Sequence, residues 1–156
     1  EYPVEAVSIM NRIVERVEND ENYHMLVKSE HLDGQGPDAD AITSAARQIA
    51  HFINASAIVT FTSTGSTTIR ASKVRPTVPI LGLTPELSTS RRLVLVWGVH
   101  PVNTPGINEF KEVVAVAVSV SAAEGFAQKG DHIVITAGVP FGTPGTTNII
   151  RIATVE

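Results

Sequence analysis

The 156-residue sequence contains no cysteine, so disulfides, thiolate nucleophiles, zinc–thiolate clusters and iron–sulfur sites are excluded. Charge is sparse as well: 18% of residues are Asp, Glu, Lys or Arg, against about 25% in ordinary globular domains. A basic excess is also missing. Twelve Lys and Arg stand against sixteen Asp and Glu, giving a formal charge of −4 and a pI near 5.7, which argues against a nucleic-acid or anionic-membrane surface. No apolar run reaches the ~18 residues of a membrane span, and no basic segment precedes an apolar one in the manner of a signal peptide. A cytoplasmic location is the expectation. What is present is apolar surface, 43% hydrophobic residues, over a length that suits one domain or one domain with a short attachment. Such a chain buries about two-thirds of its unfolded surface and needs no covalent staple.

Residues 3–23 predict an amphipathic helix, with Pro3 in its first turn and Val7, Met10, Val14 and Val17 on one stripe. Residues 28–37, rich in Gly and Pro and without periodicity, read as a linker. Beyond it the chain alternates. Asp38 or Asp40 can cap a helix running to about Asn54, and residues 57–61 form a short strand. A helix over 65–73 stops before Arg75-Pro76. Strand candidates follow at 79–83, 93–97, 132–136 and 148–155, with a short helix over 85–92. The stretch 114–120 alternates with period two, as a strand does. It lies, however, within 107–128, which has no turn residue before Gly125, and parallel strands at 93–97 and 132–136 need a long crossover between them. A buried helix is therefore expected there. Short apolar strands separated by helices point to an α/β fold, a mostly parallel sheet covered on both faces.

Chemistry concentrates in two loops. Thr62-Ser63-Thr64-Gly65-Ser66-Thr67 follows a strand and opens a helix, where unpaired N–H groups and a partial positive charge meet five hydroxyls. This arrangement can cradle a phosphate, or the hydroxyls can simply cap the helix. It is not a Walker loop, because the Lys is missing. The second loop, Gly142-Thr143-Pro144-Gly145 and its flanks, follows the 132–136 strand. It either faces the same pocket, off the carboxyl ends of the strands, or merely reverses the chain into an antiparallel last strand. A third loop, residues 97–101, offers Trp97 as a pocket wall and His100 as a weak polar candidate. His24, His31, His51 and His132 show no paired metal spacing, and the acidic run of Glu30, Asp33, Asp38 and Asp40 reads as solvated linker and helix start. No metal site and no nucleophile elbow are found.

Several separated segments, in one order, resemble the C-terminal domain of the pyruvate kinase family. They are Tyr2 to Val7 with Met10 and Ile13, Thr62 to Thr67, Arg75-Pro76 with Pro79-Ile80, Gly98 to Pro101, Phe126 to Asp131, and Gly142 to Asn148. The resemblance implies a three-layer α/β sandwich around a five-stranded sheet, mostly parallel with an antiparallel last strand. It implies that residues 1–27 are the last helix of a preceding barrel domain, 28–37 the linker and 38–156 a regulatory and assembly domain. Phosphoryl transfer from phosphoenolpyruvate to ADP, with its Mg²⁺ and K⁺, belongs in that family to the barrel. Its lysine, carboxylates and arginines have no counterpart here, so this chain alone is expected to be inactive.

By the same resemblance, Thr62, Ser63, Thr64, Ser66 and Thr67 would hold an effector phosphate, and Gly142 to Gly145 would form a lid. The fifth loop position, basic in several fructose-bisphosphate-responsive members, is Ser66. The arginine that grips a second phosphate falls at Val113, with Lys111 the nearest cation. A monophosphate effector, AMP or a hexose or pentose monophosphate, is thus expected ahead of fructose 1,6-bisphosphate. The expected partners are the barrel domain of the same parent chain and further copies in a homo-oligomer. The competing reading is a free-standing phosphate-ligand-binding module, and the first residue, Glu1 rather than Met, favours a fragment.

Overall fold

A computed structural model describes residues 2–20, 22–23, 37–107, 109–140, 143 and 146–156. The chain divides into two compact units, Glu1–Gly34 and Gln35–Glu156. Of the linker expected over 28–37, only Pro37 falls among the described residues.

The first unit holds α1 (Pro3–Glu18), with Pro3 in its first turn, Glu5 near the positive end of the helix dipole and Arg16 near the negative end. It stops short of residue 23 because Asn19 closes it: the Asn19 side-chain amide donates to the Glu15 carbonyl at 2.7 Å. No residue of α1 is buried, and Val7, Met10, Val14 and Val17 all stand exposed.

The second unit runs α2 (Asp38–Phe52), β1 (Ala57–Phe61), α3 (Ser66–Lys73), β2 (Ile80–Thr84), α4 (Leu87–Leu93), β3 (Val99–Asn103), α5 (Phe110–Ala123), β4 (His132–Gly138) and β5 (Thr147–Thr154). The strands form one sheet in the order β3-β2-β1-β4-β5. The first four are parallel, and β5 pairs antiparallel with β4. The order runs outward from β1 to β3, then jumps back to place β4 on the other side of β1. That reversal opens a crevice at the carboxyl ends of β1 and β4.

The register sorts the residues by face. Ala57, Val59, Leu81, Leu83, Ile133 and Ile135 share one face with Val113 and Ala117 of α5. Ile58 and Val134 lie on the other face, under Ala46 and Ala50 of α2. Among the described residues of α5 the buried positions are Val113, Ala117 and Ser121, four residues apart. Burial there follows the helical period, although the sequence alternates with period two.

Two expectations need correction. Residues 93–97 are not a strand: Leu93 ends α4 as a buried side chain, while Val94 and Leu95 are exposed in the turn that follows. The strand lies six residues further on, at Val99–Asn103, and contains Pro101. Proline is tolerated because β3 is the sheet edge, paired only with β2. Nor does Asp38 or Asp40 cap α2. Pro37 occupies the cap position, and both aspartates lie in the first turn, where they complement the helix dipole. Asp40 also binds Arg70 Nε at 2.9 Å.

Candidate functional site

The crevice at the strand-order reversal is a pocket of about 250 Å³. Four segments line it: Phe61 to Thr64 with Ser66 and Thr67; Leu83 with Pro85; Thr104 to Ile107; and Gly138 with Thr143, Thr146 and Thr147. No described residue of this lining is charged. Its polar groups are hydroxyls and backbone.

Local chemistry shapes the hydroxyl-rich loop. Gly65 sits at the N-cap of α3 with φ +92°, a left-handed conformation in which an L side chain is strained. The turn is held by Thr62, whose Oγ1 accepts the Gly65 N–H at 2.8 Å. Thr67 is buried and shares a 2.7 Å hydrogen bond with the Thr147 hydroxyl at the start of β5. Below it, Thr60 and Thr68 pair their hydroxyls at 2.7 Å. Gly82 lets α3 approach this closely, since a Cβ there would come within 3.0 Å of the Thr68 methyl. Thr62 and Thr67 are therefore committed to framework bonds. Ser63, Thr64 and Ser66 are half-buried or exposed and line the pocket, beside the first turn of α3, whose N–H groups have no partner within the helix.

Of the residues singled out in sequence, Thr62, Ser63, Thr64, Ser66, Thr67 and Thr143 line the pocket, and Gly65 shapes the loop from behind. Gly142, Pro144 and Gly145 lie outside the described residues. Trp97 and His100 are placed elsewhere, as the shift of β3 requires. Trp97 carries the Arg75 guanidinium 4.3 Å from its ring centroid, before β3 begins. His100 Nε2 lies 2.9 Å from Glu124, its ring 4.9 Å from that of Phe126. Lys111 is exposed in the first turn of α5, outside the pocket lining. Val113 is fully buried against the sheet and takes no part in the pocket. Sequence reasoning missed Thr104 to Ile107, because the strand preceding them was placed too early. The Pro105-Gly106 pair was the available signal for a loop there. Among the described residues no group of three or more His, Asp or Glu could hold a metal ion, and no helix is long and apolar enough to cross a membrane.

A sheet of this order with a pocket at its reversal has the architecture of doubly wound α/β domains, which bind small molecules at such crevices. Residues 40–153 match the family model described as pyruvate kinase, alpha/beta domain, and the chain belongs to the pyruvate kinase family. It is 40% identical over 155 residues to a pyruvate kinase of Methylorubrum extorquens, covering 99% of this chain and 32% of that protein. With a pyruvate kinase of Geobacillus stearothermophilus the identity is 37% over 156 residues, covering 27% of the relative. Among solved structures, Cryptosporidium parvum pyruvate kinase in complex with ADP superposes over the whole chain with a TM-score of 0.81 at 28% identity, covering 32% of that chain. The chain thus spans about a third or less of the length of these relatives.

Proposed function

We propose that the chain is the regulatory and assembly portion of a cytoplasmic pyruvate kinase, and that its pocket takes a phosphorylated small-molecule effector. The phosphoryl transfer from phosphoenolpyruvate to ADP, with its Mg²⁺ and K⁺, then belongs to a barrel domain outside these residues. The exposed apolar stripe of α1 is consistent with a helix that packs on that barrel. Assembly with further copies of the chain is part of the same proposal.

One observation carries the effector reading: a pocket at the strand-order reversal whose described lining offers hydroxyls and helix N-terminal N–H groups but no charged side chain. Hydroxyl and N–H donors suit one phosphate, whereas a second phosphate needs cations to offset its desolvation. The volume, about 250 Å³, lies below the 300–1,000 Å³ typical of drug-sized ligands and suits a compact one. A monophosphate, AMP or a hexose or pentose monophosphate, is therefore favoured over fructose 1,6-bisphosphate.

A thermal-shift screen against AMP, ribose 5-phosphate, glucose 6-phosphate and fructose 1,6-bisphosphate tests this. A ligand at 100 times its dissociation constant adds ~2.7 kcal/mol of stability, so a monophosphate is expected to raise the melting temperature. No shift with any of the four at millimolar concentration would sink the effector reading. A larger shift with the bisphosphate would reverse the preference.

A further inference from the structure

The hydroxyl-rich loop is held from behind by α4. Two of that helix's side chains, three residues apart and so on one face, take consecutive loop carbonyls. Thr89 Oγ1 donates to the Ser63 carbonyl at 2.9 Å, and Arg92 Nη2 donates to the Thr64 carbonyl at 2.7 Å. In a planar trans peptide the N–H points opposite to the carbonyl. Anchoring these two carbonyls on α4 therefore turns the N–H groups of Thr64 and Gly65 away from it. The Gly65 N–H is taken by Thr62, so the donor left to the pocket is the Thr64 N–H, oriented by Thr89 through the Ser63 carbonyl, while Arg92 fixes the peptide behind it.

The same contact brings a full positive charge to the loop. Nη2 of Arg92 lies 3.8 Å from the position a Cβ on Gly65 would occupy, while the described pocket wall itself is uncharged. Among the described residues Arg92 forms no ion pair. Asp40 of α2 is engaged by Arg70 of α3, Glu86 stands at the opposite end of α4 as its N-cap, and the neighbour Arg91 is a second cation. Among the described residues, therefore, no bound carboxylate offsets the positive charge at the loop.

We infer that Arg92 is the charge-selecting residue of the pocket. Held in place by the Thr64 carbonyl, its guanidinium puts a positive charge behind the loop and biases the site toward the dianion of a phosphate monoester over its monoanion. This rests on the pocket being a phosphate site. The N-terminal end of α3 already favours the dianion, and the guanidinium behind the loop adds Coulomb attraction, moderated by solvent because Arg92 is exposed.

Calorimetric titration of glucose 6-phosphate into the 156-residue chain, near pH 5 and near pH 7.5, brackets the second phosphate pKa of about 6. The unaltered protein is expected to bind about tenfold tighter at the higher pH. Arg92→Gln keeps a donor for the Thr64 carbonyl but removes the charge, and is expected to lose part of that pH preference, weakening binding more at pH 7.5 than at pH 5. Arg92→Lys is expected to keep it. Arg92 is exposed, so neither change disturbs the core. Equal weakening of Arg92→Gln at both pH values, or a profile matching the unaltered protein, would overturn the inference while leaving the phosphate site standing. No binding by the unaltered protein at either pH would overturn both.

Discussion

The two faces of the sheet are built differently. The face under α5 is apolar across the three central strands: Ala57, Val59, Leu81, Leu83, Ile133 and Ile135 meet Val113 and Ala117, and polar side chains enter it only on the edge strands, at His100 and Arg151. The opposite face starts apolar at the amino ends of the strands, with Ile58, Ile80 and Val134 in register. One pleat further toward the carboxyl ends it becomes Thr60, Gly82 and Thr136, covered by Thr68 of α3. Apolar burial stabilises both faces by about 25 cal/mol per Å², but buried hydroxyls add little net stability even when paired. The threonine layer thus contributes less to folding than valine would. What it supplies is a floor of fixed hydroxyl pairs beneath the loop that forms the pocket.

The contrast predicts a graded set of effects. Leu81→Ala removes a fully buried side chain from the apolar face and is expected to cost about 2–5 kcal/mol in urea unfolding, with the relative affinities for different phosphate esters unchanged. Thr67→Val strands the Thr147 hydroxyl, itself 2% exposed, at an expected cost of about 1–3 kcal/mol. Adding Thr147→Val should recover most of that stability, because an apolar pair of the same shape replaces the polar one. Recovery of stability without recovery of ligand-induced stabilisation would separate the folding role of this layer from its binding role.

The Thr136 hydroxyl is buried and has no hydrogen-bond partner among the described residues. Thr136→Val is therefore expected to leave stability unchanged or raise it by up to about 1 kcal/mol, whereas a marked loss would reveal a partner at the hydroxyl. The smallest effect is expected at Asp131, at the far end of β4 from the pocket. Its carboxyl sits below the ordinary carboxylate range, chiefly because it accepts the Gln128 N–H, at 2.8 Å, with help from Ser56 and His132. A depressed folded-state pKa contributes stability above the unfolded value and loses it as pH falls through the folded one. Asp131→Asn should accordingly soften the acid limb of the stability profile and leave ligand binding at neutral pH untouched.

Most of the fold was legible because β1, β2, β4 and β5 are apolar runs bounded by Gly, Pro and polar turns. Helix α5 was readable through the need for a crossover, despite its misleading valine alternation. The third strand was not. Leu93 to Trp97 is the more apolar run, yet only an edge position makes Pro101 acceptable in a strand, and edge status is a property of the assembled sheet. That displacement also hid one of the four segments of the pocket wall, since Thr104 to Ile107 follow the true strand, and it placed Trp97 and His100 in a pocket they do not line. The hydroxyls of Thr62 to Thr67 were visible as a group. Thr62 is a framework residue through the nearby Gly65 N–H, but the assignment of Thr67 to the framework depends on Thr147, 80 residues away in sequence. The clamp by Thr89 and Arg92 is equally non-local.

The account stands on the carboxyl end of the threonine-bearing face being a phosphate-ester site. Titrating glucose 6-phosphate or AMP into ¹⁵N-labelled protein and following the amide resonances tests this directly. The account predicts saturable shifts at Thr64, Ser66 and Thr67, extending to Thr104 and Thr147, with Trp97 and His100 unmoved. Amide shifts centred on Trp97 and His100, or none at millimolar ligand, would contradict it.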